Sequence, residues 1–443
     1  MSRCVGNSRA KIVDKRIYSA HKMLSRVGSM SKNPLFSVVT PSYNQGRFIR
    51  ATIESVLSQD YPHLEYIIMD GGSTDETASV VKDYASRLTF VSEKDRGQAH
   101  AINKGFRMAR GQYLAWLNSD DLYLPGMIRA AVEGFQRNPV AGAVYGEGYL
   151  IDQKGEVSSR FPFTERFNLW KLVYLSDYIL QQTVAFRREV LDDVGYLDED
   201  LHYVLDWDIL IRIGMKYPLE YIPAYMGCLR EYAEAKTFAG GARRIREMRQ
   251  MLRRHTGLFV PRGYVVYGLD THHRLWCESI GRHLPTFKPV SNLLQYAIRS
   301  ASLSLIGRTI RESQGLYSDG WAGRVLRYML PPGAGSLVLQ GELPDWESLR
   351  GQTLQVLANG QSLGEFEIAN GAFRIVMELP ENLQNRLLAL KITAKRWLRP
   401  VGDRRCVAYK LDMLGRTPSG APNEVGFGGA PEPAERQLRS HTR

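Results

Sequence analysis

An apolar run that ends in two carboxylates constrains this chain more than any other feature. Residues 112–117 are mostly apolar and stop at Asn118-Ser119-Asp120-Asp121. A buried strand that ends in this way brings acidic side chains to the open edge of a sheet. Carboxylate oxygens there can hold a hard divalent cation, which in turn can hold a diphosphate. The alternative is a polar turn between a strand and a helix. The sequence on either side of this segment distinguishes a cation site from such a turn.

Strand and helix patterns alternate on the N-terminal side of this run. The predicted strands are residues 35–40, 64–69, 88–91 and 112–118, and the predicted helices are 45–59, a segment after 75, and 98–110. Such alternation predicts an α/β fold with a mostly parallel sheet flanked by helices, whose ligands bind beyond the carboxyl ends of the strands. Asp70 and Asn118 both stand at such ends.

The distal part of the chain has a different pattern. Short alternating segments with turns at Asn359-Gly360 and Asn370-Gly371 predict a small antiparallel β-sandwich. Trp321 and Trp397 are predicted to belong to its core rather than to a glycan-binding platform. The predicted divisions are a basic N-terminal extension 1–33, an α/β domain 34–240, a helical basic linker 241–316, a β-sandwich 317–414 and a disordered tail 415–443.

Composition narrows the cellular context. Four cysteines lie far apart without a CxxC or Cys/His pattern, so neither a disulfide framework nor a zinc site is expected. We find no apolar segment long enough for a signal peptide or a transmembrane helix, and we therefore predict a cytoplasmic protein.

The formal net charge of +12 is concentrated in two basic segments. One is residues 1–33, and the other is the arginine cluster within residues 243–254. Basic segments attract anionic lipid, nucleic acid or phosphorylated substrates, and a merely solvated basic face is the open alternative. No nucleic-acid-binding module is recognisable, so we expect no nucleic-acid partner.

Five sequence blocks, in order, resemble the family 2 glycosyltransferases, which have the nucleotide-diphospho-sugar transferase (GT-A) fold. The resemblance spans roughly residues 34–236. Its blocks are Thr40-Pro41-Ser42-Tyr43-Asn44-Gln45, residues 69–75, residues 93–105, Asn118-Ser119-Asp120-Asp121 and residues 198–208. The distal sandwich resembles accessory domains attached to some bacterial glycosyltransferases.

The resemblance implies a nucleotide-binding region at the ends of the first strands. It implies that Asp70 contacts the base or ribose, and that the loop with Pro41, Tyr43 and Asn44 lines the pocket. Asp95 and Arg96 are implied to close over the nucleotide and the donor sugar. Asp75 stays open between a nucleotide role and a carboxylate at a helix start.

The block Asn118-Ser119-Asp120 occupies the position of the family's Asp-x-Asp metal motif. Asn118 replaces the first carboxylate of that motif, but an amide oxygen can still coordinate a cation or bond the ribose. Asn118 and Ser119 are therefore expected on the donor side. The implied ligand of Mn²⁺ or Mg²⁺ is Asp120, with Asp121 as the second candidate.

Asp206 aligns with the family's catalytic base, which deprotonates the attacking hydroxyl in an inverting transfer. Asp208, two residues on, is expected to cap or orient. Gln182 stands where relatives commonly have Pro, and Tyr232 stands where they have His. Arg230 is expected to help with the nucleotide by its charge.

The resemblance implies an inverting glycosyltransferase, a hexosyltransferase that uses a UDP- or GDP-sugar. Its acceptor would be a glycan or a lipid-linked hydroxyl in bacterial surface polysaccharide biosynthesis (O-antigen, capsule or exopolysaccharide). The basic segments favour peripheral contact of the chain with the anionic inner face of the membrane. The alternative is a non-catalytic carbohydrate-binding or scaffold protein with a decayed metal site. A nucleotidyltransferase is disfavoured because no Gly-rich basic loop follows the first strand.

Overall fold

The computed structural model describes residues 33–232, 234–236, 240–261, 263–265, 268, 271, 314–317, 319–400 and 405–417. The chain divides into two compact units, Met1–Leu303 and Ser304–Arg443. The predicted N-terminal extension up to residue 32, most of the helical linker and the predicted tail beyond Thr417 lie outside the described residues. Residues 415–417, predicted to begin the disordered tail, instead complete a strand. The predicted domain boundaries stay predictions.

Strands β1–β9 of the first unit form one mixed sheet. They are Phe36–Ser42, Leu64–Asp70, Thr89–Ser92, Tyr113–Trp116, Leu122–Tyr123, Ala143–Ile151, Val157–Arg160, Ala185–Arg187 and Leu219–Arg230. Their order is β3-β2-β1-β4-β8-β6-β9-β5, with β7 paired to β6. The half from β3 to β4 is parallel, as the alternation of strands and helices predicts. Strand β8 is antiparallel to both β4 and β6, which the sequence pattern did not indicate.

The first strand continues through Pro41, where the sequence predicts that it ends. Pro41 pairs with Met69 of β2, whereas the pairing of β1 with β4 stops at Val39. Beyond Val39 the strand has a neighbour on one side only, and a proline without an N–H is tolerated on such an edge.

Helices α1–α8 connect and cover these strands. They are Gly46–Leu57, Thr77–Lys82, Gln98–Met108, Met127–Arg137, Leu169–Tyr174, Arg188–Val194, Leu205–Gly214 and Gly241–Thr256. No described helix combines the length and the apolar character needed to cross a lipid bilayer.

Strand β4 is buried in the core up to its last residue. All four residues of β4 are buried, as expected for a strand covered on both faces. Trp116, its last residue, is 2% exposed and stacks on Phe186 with ring centroids 5.4 Å apart. The polar Asn118-Ser119-Asp120-Asp121 segment thus follows directly from a strand anchored in the core.

The second unit contains two four-stranded antiparallel sheets. Their strands β10–β17 are Trp321–Ala322, Val325–Leu330, Ser336–Leu343, Gln352–Ala358, Gln361–Ile368, Gly371–Met377, Leu388–Ala394 and Tyr409–Thr417. Leucines that alternate along the strands of both sheets share one core, which makes the unit the predicted β-sandwich. Asn359 and Gly360 have φ angles of 50° and 83°, as a tight hairpin turn between β13 and β14 requires.

The prediction that Trp397 belongs to this core is wrong, since its side chain is 41% exposed. Trp321 is partly buried and stacks on Trp346 with ring centroids 5.3 Å apart. Leucines and alanines at the alternating strand positions already fill the interior. The tryptophans are therefore left to the periphery of the sandwich.

Helix α7 is held by a buried ionic cluster around Asp208. Asp208 Oδ2 accepts a hydrogen bond from Arg212 Nε at 2.7 Å, and Asp208 Oδ1 lies 2.8 Å from His255 Nε2 on α8. Burial opposes ionisation of Asp208, but His255 and Arg212 outweigh it and lower the pKa of Asp208. Asp208 therefore ties α7 to α8, which agrees with the orienting role expected for it.

Gly105 on α3 supplies a test of how closely that helix packs on the sheet. A Cβ added to Gly105 would lie 2.4 Å from Val39 Cγ1 of β1. We expect Gly105→Ala to lower the free energy of unfolding by about 1–3 kcal/mol, because overpacking displaces the strand. Urea unfolding measures this change. Gly415→Ala is the matched control, since an added Cβ there meets nothing within 4 Å, and an equal loss in both variants would contradict the close packing.

Asp208→Asn tests the ionic cluster. The variant leaves Arg212 with a weakened buried partner, so we expect a loss of about 2–3 kcal/mol in the free energy of unfolding at pH 7. The folded-state pKa of Asp208 is lowered, so its contribution is present above the unfolded value of about 4 and is lost as the pH falls through the folded value. Urea unfolding at a series of pH values should show the difference narrowing only below about pH 4. The exposed Asp200→Asn serves as control, and a pH-independent difference would contradict this account.

Candidate functional site

The loops that follow β1, β2 and β3 meet at Gly71. A Cβ added to Gly71 would lie 2.7 Å from Asp95 Oδ2 and 3.3 Å from Tyr43 Cδ2. The Tyr43 side chain is 62% exposed, so its ring is open to a ligand. The structure therefore brings together Tyr43 and Asp95, which the sequence analysis assigned to the nucleotide from separate blocks.

Asp70, at the end of β2, is 2% exposed. Its Oδ2 accepts from the backbone N–H groups of Gly72 at 3.1 Å and Ser73 at 2.9 Å, and from Ser92 Oγ at 2.6 Å. These bonds fix the turn after β2 and join it to β3. The nucleotide role of Asp70 stays a prediction, and its observed contacts are those of a residue that shapes the loop.

Asn44 and Asp75 join the first loop to the second. Asn44 adopts a left-handed φ of 52°, and its Oδ1 accepts from the Thr74 N–H at 2.9 Å. Asp75 accepts from the N–H of Gly46 at 2.9 Å and from that of Thr77 at 3.0 Å. Asp75 is thus bonded at the starts of α1 and α2, which favours the helix-start reading that the sequence left open.

The segment before α3 turns sharply at Gly97, whose φ is 125°. Asp95 Oδ1 accepts from the Gly97 N–H at 2.8 Å, so this carboxylate stabilises the turn. Arg96 is an exposed residue whose guanidinium forms an ion pair with Glu199 at 2.5 Å. The predicted phosphate contact of Arg96 would therefore require it to exchange Glu199 for the ligand.

Asp121 is the centre of the segment after β4. Its side chain is 1% exposed, and three N–H groups point at it: Asn118 Nδ2 at 3.0 Å, Gln182 Nε2 at 2.7 Å and the Arg230 backbone N–H at 2.9 Å. Burial, together with the negative charge of Asp120, raises the pKa of Asp121 to about 8. With its oxygens occupied in this way, Asp121 acts as an internal anchor.

Asp120 is partly exposed, unlike its buried neighbours Ser119 and Asp121. One of its carboxylate oxygens accepts from Tyr232 Oη at 2.6 Å. Arg230 Nε donates to the Asp120 backbone carbonyl at 2.7 Å. Tyr232, which takes the place of a family histidine, therefore orients the carboxylate that the sequence analysis favours as the metal ligand.

Arg230 lies beneath this segment and is 3% exposed. Its Nη1 donates to the backbone carbonyls of Asp152 at 2.9 Å and Gln153 at 3.0 Å, and its guanidinium lies 4.8 Å from the centroid of the Phe48 ring. The Arg230 guanidinium thus makes its hydrogen bonds to groups within the protein. The nucleotide-binding role predicted for Arg230 stays untested, and its observed contacts brace the loop that carries Asp120.

A chain of hydrogen bonds leads away from Asn118. Gln98 Nε2 donates to Asn118 Oδ1 at 2.7 Å, and Lys236 Nζ donates to Gln98 Oε1 at 2.6 Å. Lys236 interacts electrostatically with Asp206. The predicted metal segment and the predicted base are thus connected through Gln98 and Lys236.

Asp206 is the second residue of helix α7 and is partly exposed. Its Oδ1 accepts from the Trp207 N–H at 2.9 Å, and burial raises the pKa of Asp206. A second carboxylate, Asp177, interacts with it electrostatically. Burial and the charge of Asp206 raise the pKa of Asp177 well above its usual range. The two carboxylates form a pair that holds a proton more readily than isolated acids do.

Helix α8 supports this pair. Arg244 exerts an attractive electrostatic interaction on both Asp177 and Asp206. Glu247 Oε1 accepts from the backbone N–H groups of His202 at 2.9 Å, Tyr203 at 2.6 Å and Val204 at 3.1 Å. Val204 immediately precedes α7, so Glu247 fixes the turn that presents Asp206.

The sequence analysis did not identify Asp177, and it included Arg244 only as a member of the basic arginine cluster. Gln181 Nε2 donates to the Trp116 backbone carbonyl at 2.8 Å, which attaches the segment after α5 to the end of β4. A signal for Asp177 exists, because it is the one acidic residue in the apolar stretch 172–180. A charge placed within such a stretch either meets a partner or is functional.

The described residues contain no group of three or more His, Cys, Asp or Glu side chains that could hold a metal ion by themselves. Mg²⁺ commonly binds through one or two carboxylates and completes its coordination with water and substrate phosphates. The partly exposed Asp120 fits a shared site of that kind. Asp121 fits it less well, since its carboxylate is enclosed by N–H donors.

Comparison with known proteins identifies a family within the first unit. Residues 37–195 match the Glycosyl transferase family 2 family. An uncharacterized glycosyltransferase of Rickettsia prowazekii is 29% identical over 186 residues, which cover 41% of this chain and 58% of that protein. The chondroitin synthase of Escherichia coli is 28% identical over 200 residues, or 44% of this chain and 28% of that enzyme. The chain thus spans somewhat more than half of the first relative's length and less than a third of the second's.

Among solved structures, residues 1–349 of S. aureus TarS in complex with UDP-GlcNAc align with 64% of this chain and 93% of theirs, with 16% identity and a TM-score of 0.43. The family match extends from β1 to α6 and so includes the loops that follow β1, β2, β3 and β4. This match agrees with the GT-A fold expected from the sequence. Residues 37–195 of this chain are therefore a glycosyl transferase family 2 domain.

Proposed function

We propose that this chain is an inverting glycosyltransferase that moves a sugar from a nucleoside-diphosphate sugar to an acceptor hydroxyl. One observation carries the proposal. Asn118, two residues before Asp120 on the segment after β4, is connected through Gln98 and Lys236 to the surroundings of Asp206. The segment that presents a carboxylate suited to the donor side is thus linked to a carboxylate suited to the acceptor side.

The donor half of the proposal uses the loops after β1, β2 and β3. The exposed ring of Tyr43, beside Gly71 and Asp95, offers a surface for the base or ribose of a UDP- or GDP-sugar. Asp120 would hold Mn²⁺ or Mg²⁺ together with the donor diphosphate. When bound, such a cation stabilises the negative charge of the departing diphosphate.

The acceptor half of the proposal uses the carboxylate pair. Asp206 accepts the proton of the acceptor hydroxyl as that oxygen attacks the anomeric carbon and the bond to the diphosphate breaks. We assign the proton that the pair retains to Asp177, because burial and the charge of Asp206 raise its pKa well above the usual range, and Asp206 is then the ionised member. The family match ends at residue 195, so this assignment depends on the contacts of Asp206 itself.

A glycan or lipid-linked acceptor in bacterial surface polysaccharide synthesis is the extension we propose for the substrate class. The relative named chondroitin synthase motivates a polysaccharide acceptor. The identity of the donor sugar would follow from thermal stabilisation of the purified chain by a panel of nucleotide sugars, with and without Mn²⁺.

Asp206→Asn and Asp120→Ala test the two halves of the mechanism. We expect Asp206→Asn to lower transfer or donor hydrolysis by about 10²–10⁴-fold while donor binding persists, because general-base catalysis is worth that much. Asp120→Ala should remove the Mn²⁺-dependent part of donor binding, measured by calorimetry. The exposed Asp200→Asn is the matched control. Full turnover in both variants would contradict this mechanism, whereas absence of turnover in the wild type would favour the non-catalytic, carbohydrate-binding alternative.

Asp177→Asn distinguishes the two carboxylates. Asn imitates a protonated Asp177, so we expect this variant to keep most of its activity at pH 7, in contrast to Asp206→Asn. A raised folded-state pKa also means that the wild type loses stability as the pH rises above the unfolded value of about 4. Between about pH 5 and about pH 9, the melting temperature of Asp177→Asn should therefore fall less than that of the wild type. An activity loss equal to that of Asp206→Asn would instead make Asp177 the base.

A further inference from the structure

Helix α8 presents arginines to solvent along one side. Arg243, Arg246 and Arg253 are exposed, and their spacing of three and seven residues places them on a single helical face. We refer to these three residues as the arginine face. Opposite them, Ile245, Met248, Met251 and Leu252 are buried. The helix is therefore amphipathic, with an outer face whose exposed charges are positive.

Apolar side chains are exposed directly after this helix. Leu258, Phe259 and Val260, which we call the apolar tip, are 41%, 69% and 50% exposed. The guanidinium groups of Arg249 and Arg253 lie 4.9 Å and 5.1 Å from the centroid of the Phe259 ring. Cation–π contacts thus keep Phe259 beside the arginines without covering it.

The inner side of the same helix reaches the carboxylate pair. Arg244 interacts with Asp177 and Asp206, Glu247 fixes the turn before α7, and His255 bonds Asp208 within α7. An α-helix with its side chains is about 10–12 Å across. The outer face of α8 is therefore separated from the surroundings of Asp206 by roughly one helix diameter.

We propose that the arginine face and the apolar tip together form a docking surface for an anionic lipid bilayer. The arginines would contact the anionic head groups, and Phe259 with its neighbours would enter the boundary between head groups and acyl chains. Interfacial helices combine these two features, a cationic polar side and exposed aromatic or aliphatic residues. The charge of the face is complementary to that of anionic lipid.

A soluble polyanion such as nucleic acid or an acidic glycan would also be attracted to the arginine face. It would give the apolar tip no favourable environment, because Leu258 and Val260 offer neither charge nor hydrogen bonds. A bilayer accounts for both halves of the surface at once. The exposed apolar residues therefore decide in favour of lipid.

Docking of this kind would bring the carboxylate pair close to the membrane surface. A lipid-linked acceptor could then reach Asp206 while its lipid stays in the bilayer. This consequence rests on the proposed function, whereas the docking does not. Vesicle binding and donor hydrolysis therefore test the two proposals separately.

The test is co-sedimentation of the full chain with vesicles of phosphatidylcholine alone and with vesicles of equal phosphatidylcholine and phosphatidylglycerol. One variant combines Arg243→Gln, Arg246→Gln and Arg253→Gln, and a second is Phe259→Ser. The matched control combines Arg137→Gln, Arg374→Gln and Arg386→Gln, which removes the same charge from exposed positions elsewhere. The circular dichroism spectrum and the melting temperature of each variant, measured without vesicles, verify that it is folded.

We expect the wild type to bind only the anionic vesicles. Each arginine near an anionic surface contributes on the order of fivefold to partitioning, so the triple variant should bind about 100-fold more weakly. Phe259→Ser should bind roughly tenfold more weakly, because less apolar surface leaves water. The triple control should bind like the wild type. Added salt should weaken the wild type strongly and the arginine variant little.

Three results would overturn the proposal. The first is equal binding of the wild type to vesicles with and without phosphatidylglycerol. The second is binding of the arginine variant that equals that of the triple control. The third is unchanged binding of Phe259→Ser, which would identify the face as one for soluble polyanions, and the same variants tested on heparin would then show the arginine dependence alone.

Discussion

The candidate site depends on one buried carboxylate. Asp121 accepts hydrogen bonds from N–H groups of Asn118, Gln182 and Arg230, which belong to three segments that are far apart in the chain. An ionised or partly ionised group in the interior is tolerated only when its hydrogen bonds are satisfied, and a satisfied group then determines where its donors lie. The end of β4, the segment before β8 and the end of β9 are thereby held together. The exposed position of Asp120 follows from this arrangement.

Helix α8 has a comparable role on the opposite side of the site. Its inner residues fix the start of α7, and its outer residues face solvent. Helix α8 thus supports the predicted base on its inner side and presents the arginine face on its outer side. If that surface meets a membrane, binding there would order the support of Asp206, because a helix responds as a unit. Membrane attachment and acceptor activation would then share one structural element.

The sequence predicted the parallel half of the sheet and the sandwich well, because their strands are short runs with clear local patterns. It did not predict the antiparallel strands β5 and β8, whose pairings join residues far apart in the chain, or β7, which forms a local hairpin with β6. The same limit applies to the site. Asp70, Asp120 and Asp206 could be selected because each adjoins a recognisable strand or helix end. Asp177 and Arg244 come together only through the packing of α8, and the bracing contacts of Arg230 depend on the pairing of β9.

The amide of Asn118 has a consequence for how this segment can vary. It donates to Asp121 and accepts from Gln98, so it acts as both a donor and an acceptor in one position. A carboxylate at position 118 would place a negative charge against the buried Asp121, whose pKa is already raised, and would remove one of its donors. A return to the two-carboxylate motif therefore requires a compensating change at position 121 or 182. These positions are coupled, and substitutions that exchange one of them alone would pass through a destabilised intermediate.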